Sequence, residues 1–201
     1  MSTLPKGRKR RKQLYDAAAR LFAAQGYHAT SLRELAQALG MNKSSLYHYF
    51  DSKQELLYRL LDEYIAEALA EIERICAGGQ SALDKLAAFM RFYTRFYAAD
   101  IERLNLLVNE VDNLEPRYRA VLEAKERRYL AALEGILAQL QEEGLMKDLP
   151  LPVAAFAFFG MVHYTRKWYR PRGAVKPGQL AEMFLEIFSR GVLAPQAGGA
   201  S

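Results

Sequence analysis

Thr30-Ser31-Leu32-Arg33-Glu34-Leu35-Ala36-Gln37-Ala38-Leu39-Gly40-Met41-Asn42-Lys43-Ser44-Ser45-Leu46-Tyr47-His48-Tyr49-Phe50 is the stretch on which the fold turns. Ser31 with Glu34 three residues on is a capping box, in which each side chain satisfies a backbone N–H that the first helical turn leaves without a partner. Leu32, Leu35, Ala36 and Leu39 then recur at helical spacing and supply an inner face, which Gly40 ends. Met41 and Asn42 form the turn, and a short helix is expected from about Lys43 to Tyr49. Asn42 is its N-cap, and Met41 and Leu46 stand at the two positions of a hydrophobic staple. With Leu46 and Phe50 inward, Lys43, Ser44, Tyr47 and His48 share the outward face. Two short helices joined by a tight turn have the geometry of a helix-turn-helix.

Outward from this stretch, helical periodicity runs from Leu14 nearly to Leu193 and strand signals are almost absent, so the fold class is all-α with about nine helices. A first helix is expected from about Arg10 to Gln25, with Leu14, Ala17, Ala18, Leu21 and Phe22 as its stripe and Gly26 as its cap. Before it, Lys6 to Lys12 reads as a mobile basic arm. Asp51-Ser52-Lys53-Gln54-Glu55 repeats the capping logic and starts a long helix reaching about Cys76, closed by Gly78-Gly79. Further helices are expected over 82–99, 101–112, 116–143, 151–169 and 177–193. The chain divides into a helix-turn-helix head with its basic arm (1–53), a body (54–193) and a disordered tail (194–201).

The formal charge of +5 is unevenly placed, since residues 1–53 carry ten Lys/Arg against three Asp/Glu and the remainder is slightly acidic. A basic head on a near-neutral body points to a polyanion at one end, because phosphate neutralisation supplies most non-specific nucleic-acid affinity. Cys76 is the single cysteine, which rules out an intrachain disulfide and suits a reducing compartment. No secretory h-region follows the basic N-terminus, and the longest apolar run, Val153 to Val162, is far short of the roughly 20 residues of a membrane span. A cytoplasmic protein with no membrane partner is expected. His28, His48 and His163 lack metal-ligand spacing, and nucleophile, P-loop and dinucleotide motifs are missing, so neither an enzyme nor a resident cofactor or metal is expected.

The run Gly26 to Ala36, then Leu39 to Lys43, then Ser45 to Leu57 resembles the TetR family over about fifty residues, with Asn42 in place of the more usual Ser and Tyr49 in place of His or Arg. The resemblance implies a homodimeric transcriptional repressor that binds a palindromic operator on double-stranded DNA, is released by a small-molecule effector, and dimerises through a four-helix interface of its last two helices. The residue types on the outward face agree. Lys43 suits guanine or phosphate acceptors, Ser44 and Ser45 either, and Tyr47 and His48 phosphates or apolar base edges. Lys53 at the start of the fourth helix, and Ser31 or Thr30 with Arg33 at the second, are expected to grip phosphates. The arm would enter a minor groove or follow the backbone.

In the body, Leu151 to Val162 is apolar nearly all round, and Phe184, Ile187, Phe188 and Val192 form a matching stripe on the last helix, as a dimer interface requires. Pocket candidates are Phe89, Phe92, Tyr93, Phe96 and Tyr97 with Arg95, joined by Phe159 and His163 from the penultimate helix. The segment Val162 to Gly173 and the following Pro177 to Leu193 resemble the C-terminal part of TetR-type repressors that answer to acyl-CoA in fatty-acid, phenylacetate and sterol breakdown. For such an effector, Phe92, Phe96 and Phe159 would line an acyl tunnel, Arg166, Lys167 and Arg170 would meet the phosphates, and Trp168 or Tyr169 the adenine. Cations at a helix C-terminus also favour the macrodipole, and Trp168 equally suits the dimer interface. An efflux-gene repressor sensing a hydrophobic drug-like molecule, and a DNA-binding protein without an effector, are the alternatives.

Overall fold

The computed structural model describes residues 6–195, with the side chains of 6–9 left aside. Among the described residues there are nine α-helices, α1 Lys6–Gln25, α2 Leu32–Ala38, α3 Lys43–Leu46, α4 Lys53–Ala77, α5 Ala82–Ala99, α6 Ile101–Glu110, α7 Pro116–Glu142, α8 Leu151–Trp168 and α9 Pro177–Val192, and one 3-10 turn, Val111–Asn113. Extended pairing among them is limited to an isolated bridge between Met146 and Leu193. The all-α expectation holds, and most helix ends fall within a residue or two of those expected.

Two ends differ. Helix α1 starts at Lys6 rather than Arg10, because Lys and Arg are good helix formers and carry the helix back through much of the basic run. Helix α3 is only four residues long. Tyr49 N–H donates to the Leu46 carbonyl at 2.8 Å, so residues 47–49 continue as a tight turn that returns Phe50 to the core. Residues 1–5 and 196–201 lie outside the described ones, and with them most of the expected tail, whereas Lys6 to Lys12, expected as a mobile arm, is the first part of α1. Ala194 is held, its N–H donating to the Leu145 carbonyl at 3.0 Å.

The described residues form two compact units, one within 6–64 and 102–123 and the other within 65–101 and 124–195, and α4 and α7 each contribute to both. In the first unit, Leu14, Phe22, Leu35, Leu46, Phe50, Leu56, Leu57 and Leu60 are all buried. Burying such a side chain contributes about 1.5–3 kcal/mol. Asp16 pairs with Arg103. The Gln54 side chain accepts from Glu115 N–H at 2.7 Å and donates to the Asn113 carbonyl at 3.3 Å, which clamps the link between α6 and α7. In the second unit, α5 packs on α8 and α9 through Phe89, Met90, Tyr93, Phe158, Val162, Phe184 and Phe188, all buried.

The stripe expected on α9 divides. Phe184, Phe188 and Val192, spaced four residues apart, point inward, whereas Ile187, at the edge of the same stripe, is 61 % exposed. Helix α8 shows both faces of its apolar character: Ala154, Ala155, Phe158, Phe159 and Val162 are buried, and Val153, Phe156, Tyr164 and Trp168 are exposed. No described helix is long and apolar enough to cross a membrane. Cys76 is half-buried, and burial raises its thiol pKa.

Candidate nucleic-acid interface and aromatic cluster

The helix-turn-helix forms by local chemistry. Ser31 Oγ accepts from Glu34 N–H at 3.2 Å while the Glu34 carboxylate accepts from Ser31 N–H at 2.7 Å. These bonds hold the Glu34 carboxyl below the usual range. The turn needs Gly40 in the left-handed region, φ +61°, where a Cβ is strained, and Met41 N–H closes back on the Ala36 carbonyl at 2.9 Å. Asn42 stands at the N-cap of α3 but makes no capping bond to the helix backbone. Its Oδ1 instead accepts from the hydroxyls of Ser45 and Ser44.

Leu46 and Phe50 are buried, and Lys43, Ser44, Tyr47 and His48 are exposed, which assembles the outward face expected of them. The Lys43 ammonium lies 5.9 Å from the Tyr47 ring centroid. Arg33 is exposed at the start of α2. Thr30 is buried and donates to the Gly26 carbonyl at 2.9 Å, which leaves Ser31 as the outer hydroxyl at that end.

Lys53 is placed differently from the expectation of a phosphate grip. Its ammonium donates to three carbonyls, those of Tyr27 at 2.9 Å, His28 at 3.2 Å and Thr30 at 2.9 Å, and sits 4.5 Å from the Tyr27 ring centroid. An ammonium has three donors, and all are engaged. These three carbonyls lie in the link between α1 and α2, where the helical ladder supplies no donor. Lys53 therefore ties the start of α4 to the end of α1. Lys53→Ala is expected to lower unfolding free energy by about 1–3 kcal/mol, the cost of losing charge-assisted bonds to partly buried carbonyls. Chemical denaturation measures this, and the salt dependence of DNA binding should keep its slope.

In the second unit Phe89, Tyr97, Phe159 and His163, of the expected residues, come together around Tyr93 with Phe158, whereas Phe92 and Phe96 pair with each other and are not placed beside Phe159. The Tyr93 ring centroid is 5.8 Å from Phe89, 5.6 Å from Phe158, 5.1 Å from Phe159 and 6.1 Å from His163. Phe92 and Phe96 are half-buried and pair at 5.4 Å. Tyr93 Oη lies 2.9 Å from His163 Nε2. Burial, with Arg166 adding to it, pushes the His163 pKa down to about 4, so the imidazole is neutral near pH 7.

Beyond this cluster, at the end of α8, Lys167 and Arg170 are exposed and Arg166 half-exposed, and no ion pair of these three forms with the described residues. Trp168 is exposed on the face that carries Tyr164, while Tyr169 is buried and donates to the Val175 carbonyl at 2.9 Å. Of the two rings considered for a flat ligand, Tyr169 thus closes the α8–α9 loop. Tyr129, which sequence reading passed over, donates to the Ile65 carbonyl and accepts from Tyr97. Its place on the buried side of α7 with Leu122, Leu133 and Ile136 was the available signal. Among the described residues no group of three or more His, Cys, Asp or Glu could hold a metal ion.

A capped helix, a left-handed glycine turn and a short second helix presenting a cation, hydroxyls and exposed rings define a helix-turn-helix protein. The chain belongs to the tetR family of bacterial regulatory proteins. Residues 14–60 match that family's N-terminal model and residues 79–192 the Tetracyclin repressor-like, C-terminal domain. It is 28% identical over 188 residues to the HTH-type transcriptional repressor KstR2 of Rhodococcus jostii, covering 92% of each chain. Among solved structures it is similar to the ketosteroid transcriptional regulator KstR2 of Mycobacterium tuberculosis, with a TM-score of 0.85 and 25% identity over 92% of this chain and 96% of that one. It is also similar to AibR, solved in complex with isovaleryl coenzyme A and operator DNA, with a TM-score of 0.78 and 27% identity over 89% of this chain and 97% of that one.

Proposed function

We propose that the protein is a homodimeric repressor that binds a two-fold operator through α2 and α3 and is released from it by an acyl-CoA thioester. The observation that carries the effector class is the sequence of surfaces along α8. An aromatic cluster that includes Phe159 and His163 is followed within one helical turn by Arg166 and Lys167 and then Arg170, cations without carboxylate partners among the described residues. An acyl group needs the first and a nucleotide's phosphates the second, whereas a plain hydrocarbon effector has no use for the cations. AibR, a relative over nearly its whole length, is solved with an acyl-CoA and its operator, which supports the same division of labour here.

The DNA contacts would come from Lys43, Ser44, Ser45, Tyr47 and His48 on α3, with Ser31 and Arg33 on α2 meeting phosphates. The dimer would form on the exposed apolar faces of α8 and α9. Effector binding would lower operator affinity by favouring a spacing of the two α3 helices unsuited to successive major grooves, transmitted along the continuous α4. Linkage then requires DNA to weaken effector binding by the same factor.

The test is release of a fluorescent operator duplex, selected from random sequence, by free fatty and phenylacetic acids, by their CoA thioesters and by CoA itself. Release by a thioester, with the free acid at least tenfold weaker, is the expected outcome. Release by free acids and by no thioester would overturn the effector class. In an Arg166→Ala/Lys167→Ala/Arg170→Ala variant the thioester response is expected to weaken at least tenfold, and an unchanged response would remove those residues from the assignment.

A further inference from the structure

Three helices of the second unit are joined by two phenol hydrogen bonds. The Tyr97 hydroxyl on α5 donates to Tyr129 Oη on α7 at 3.3 Å, and the Tyr129 hydroxyl donates to the Ile65 carbonyl on α4 at 2.5 Å. A carbonyl only accepts, so the one proton of Tyr129 is spent on Ile65, and Tyr129 is the acceptor toward Tyr97. Ile65 and Tyr97 are fully buried, and Tyr129 is 3 % exposed.

Neither hydroxyl is needed to fill the core or to satisfy Ile65. Within α4 that carbonyl already faces the N–H of Leu69, four residues on, and phenylalanine at 97 and 129 would fill nearly the same volume. Phenols buried in place of phenyl rings are costly unless they stay paired, so these two bonds restrict the packing to arrangements that keep all three groups together. A side-chain donor on a helix carbonyl also favours a bend in the helix at that point.

The two ends of the connection are what give it a use. Tyr97 belongs to the aromatic cluster, its ring centroid 4.5 Å from Tyr93, 5.3 Å from the half-buried Phe96 and 6.0 Å from His163. Ile65 is the residue at which α4 enters the second unit, since Tyr64 before it belongs to the first, and α4 runs back from there to Lys53 beside the helix-turn-helix. A ligand lodged against Phe96 or His163 presses on the Tyr97 ring. Because Tyr97 is tied to Tyr129, the displacement reaches the Ile65 carbonyl.

We propose that the Tyr129 hydroxyl is the positioning group through which an effector at the aromatic cluster alters the course of α4, and with it the affinity for operator. This rests on the effector reading above and names the residue that connects the two sites.

Tyr129→Phe keeps the ring and removes the connection. Operator affinity of the full-length protein is measured with and without saturating octanoyl-CoA or phenylacetyl-CoA, alongside binding of the same ester in the absence of DNA. The factor by which the ester weakens operator binding is expected to fall about tenfold in the variant, while ester affinity of the DNA-free protein stays within about threefold of wild type. Tyr97→Phe, which breaks the first bond alone, should lower the same factor. A merely structural role would reduce thermal stability and leave the factor at its wild-type value, and that result would overturn the proposal.

A second measurement needs no effector. In protein labelled with carbonyl-¹³C isoleucine, the Ile65 resonance is expected to move upfield in Tyr129→Phe, and to respond to added operator duplex more strongly in the wild type than in the variant. An Ile65 resonance that the operator leaves in place in the wild type would overturn the proposal whatever the esters do. Release of the wild type by octanoic or phenylacetic acid and by neither thioester would overturn the acyl-CoA reading alone, because the Ile65 resonance still decides the role of Tyr129.

Discussion

Replacing Tyr47 and His48 together by alanine is expected to reduce specific operator affinity by two orders of magnitude or more while leaving the fold and the oligomeric state intact. Both side chains are exposed, Tyr47 by 44 %, and neither supports the core that Leu46 and Phe50 make from the other side of the same turn. A groove contact of this kind is worth about 1–3 kcal/mol, and two of them, with Tyr47 also helping to place the Lys43 ammonium, account for the loss. Weak non-specific binding should persist with a steep salt dependence, because Lys43, Arg33 and the basic N-terminal run are untouched. Footprinting on the selected operator, with circular dichroism and sedimentation as controls, decides the matter. Unchanged protection would remove α3 from the reading role.

The second large effect is expected from Phe156→Asp/Ile187→Asp, which should convert a dimer into a monomer. Phe156 and Ile187 are each 61 % exposed on two helices whose opposite faces are fully engaged within the second unit. Val153, Tyr164, Trp168 and Met183 extend the same apolar surface, and a patch of this kind on a protein surface marks an interface. Burying one such side chain contributes about 1.5–3 kcal/mol, and a two-fold axis counts each residue twice. Sedimentation equilibrium should report half the mass, and operator affinity should fall by at least two orders of magnitude, because a single head contacts only one half-site. A variant that remains dimeric with full operator affinity would place the interface elsewhere.

Much of the head was legible in the linear chain because its determinants are local. The Ser31/Glu34 capping box, the glycine turn at Gly40 and the inward Leu46 and Phe50 each act within a few residues, and all are found as the spacing demands. The place of Lys53 at the start of a helix suggests a phosphate ligand. Its three acceptors lie 23 to 26 residues away, and nothing in the neighbouring sequence announces them. Helical spacing puts Ile187 in one stripe with Phe184 and Phe188, and spacing alone cannot say whether a position at the edge of a stripe faces the core or solvent.

The body divides along the same line. Helical periodicity, an apolar α8 and a cation-rich end to that helix are properties of consecutive residues, and the sequence by itself determined them together with the all-α class and the helix-turn-helix. Tertiary packing alone brings Tyr129, 32 residues from Tyr97 and 64 from Ile65, into hydrogen bonds with both, and sets His163 against Tyr93, 70 residues away. Side-chain pairings between helices depend on the rotation and rise of each helix against its neighbours. These are set by how the whole core packs, and not by any pattern within one segment.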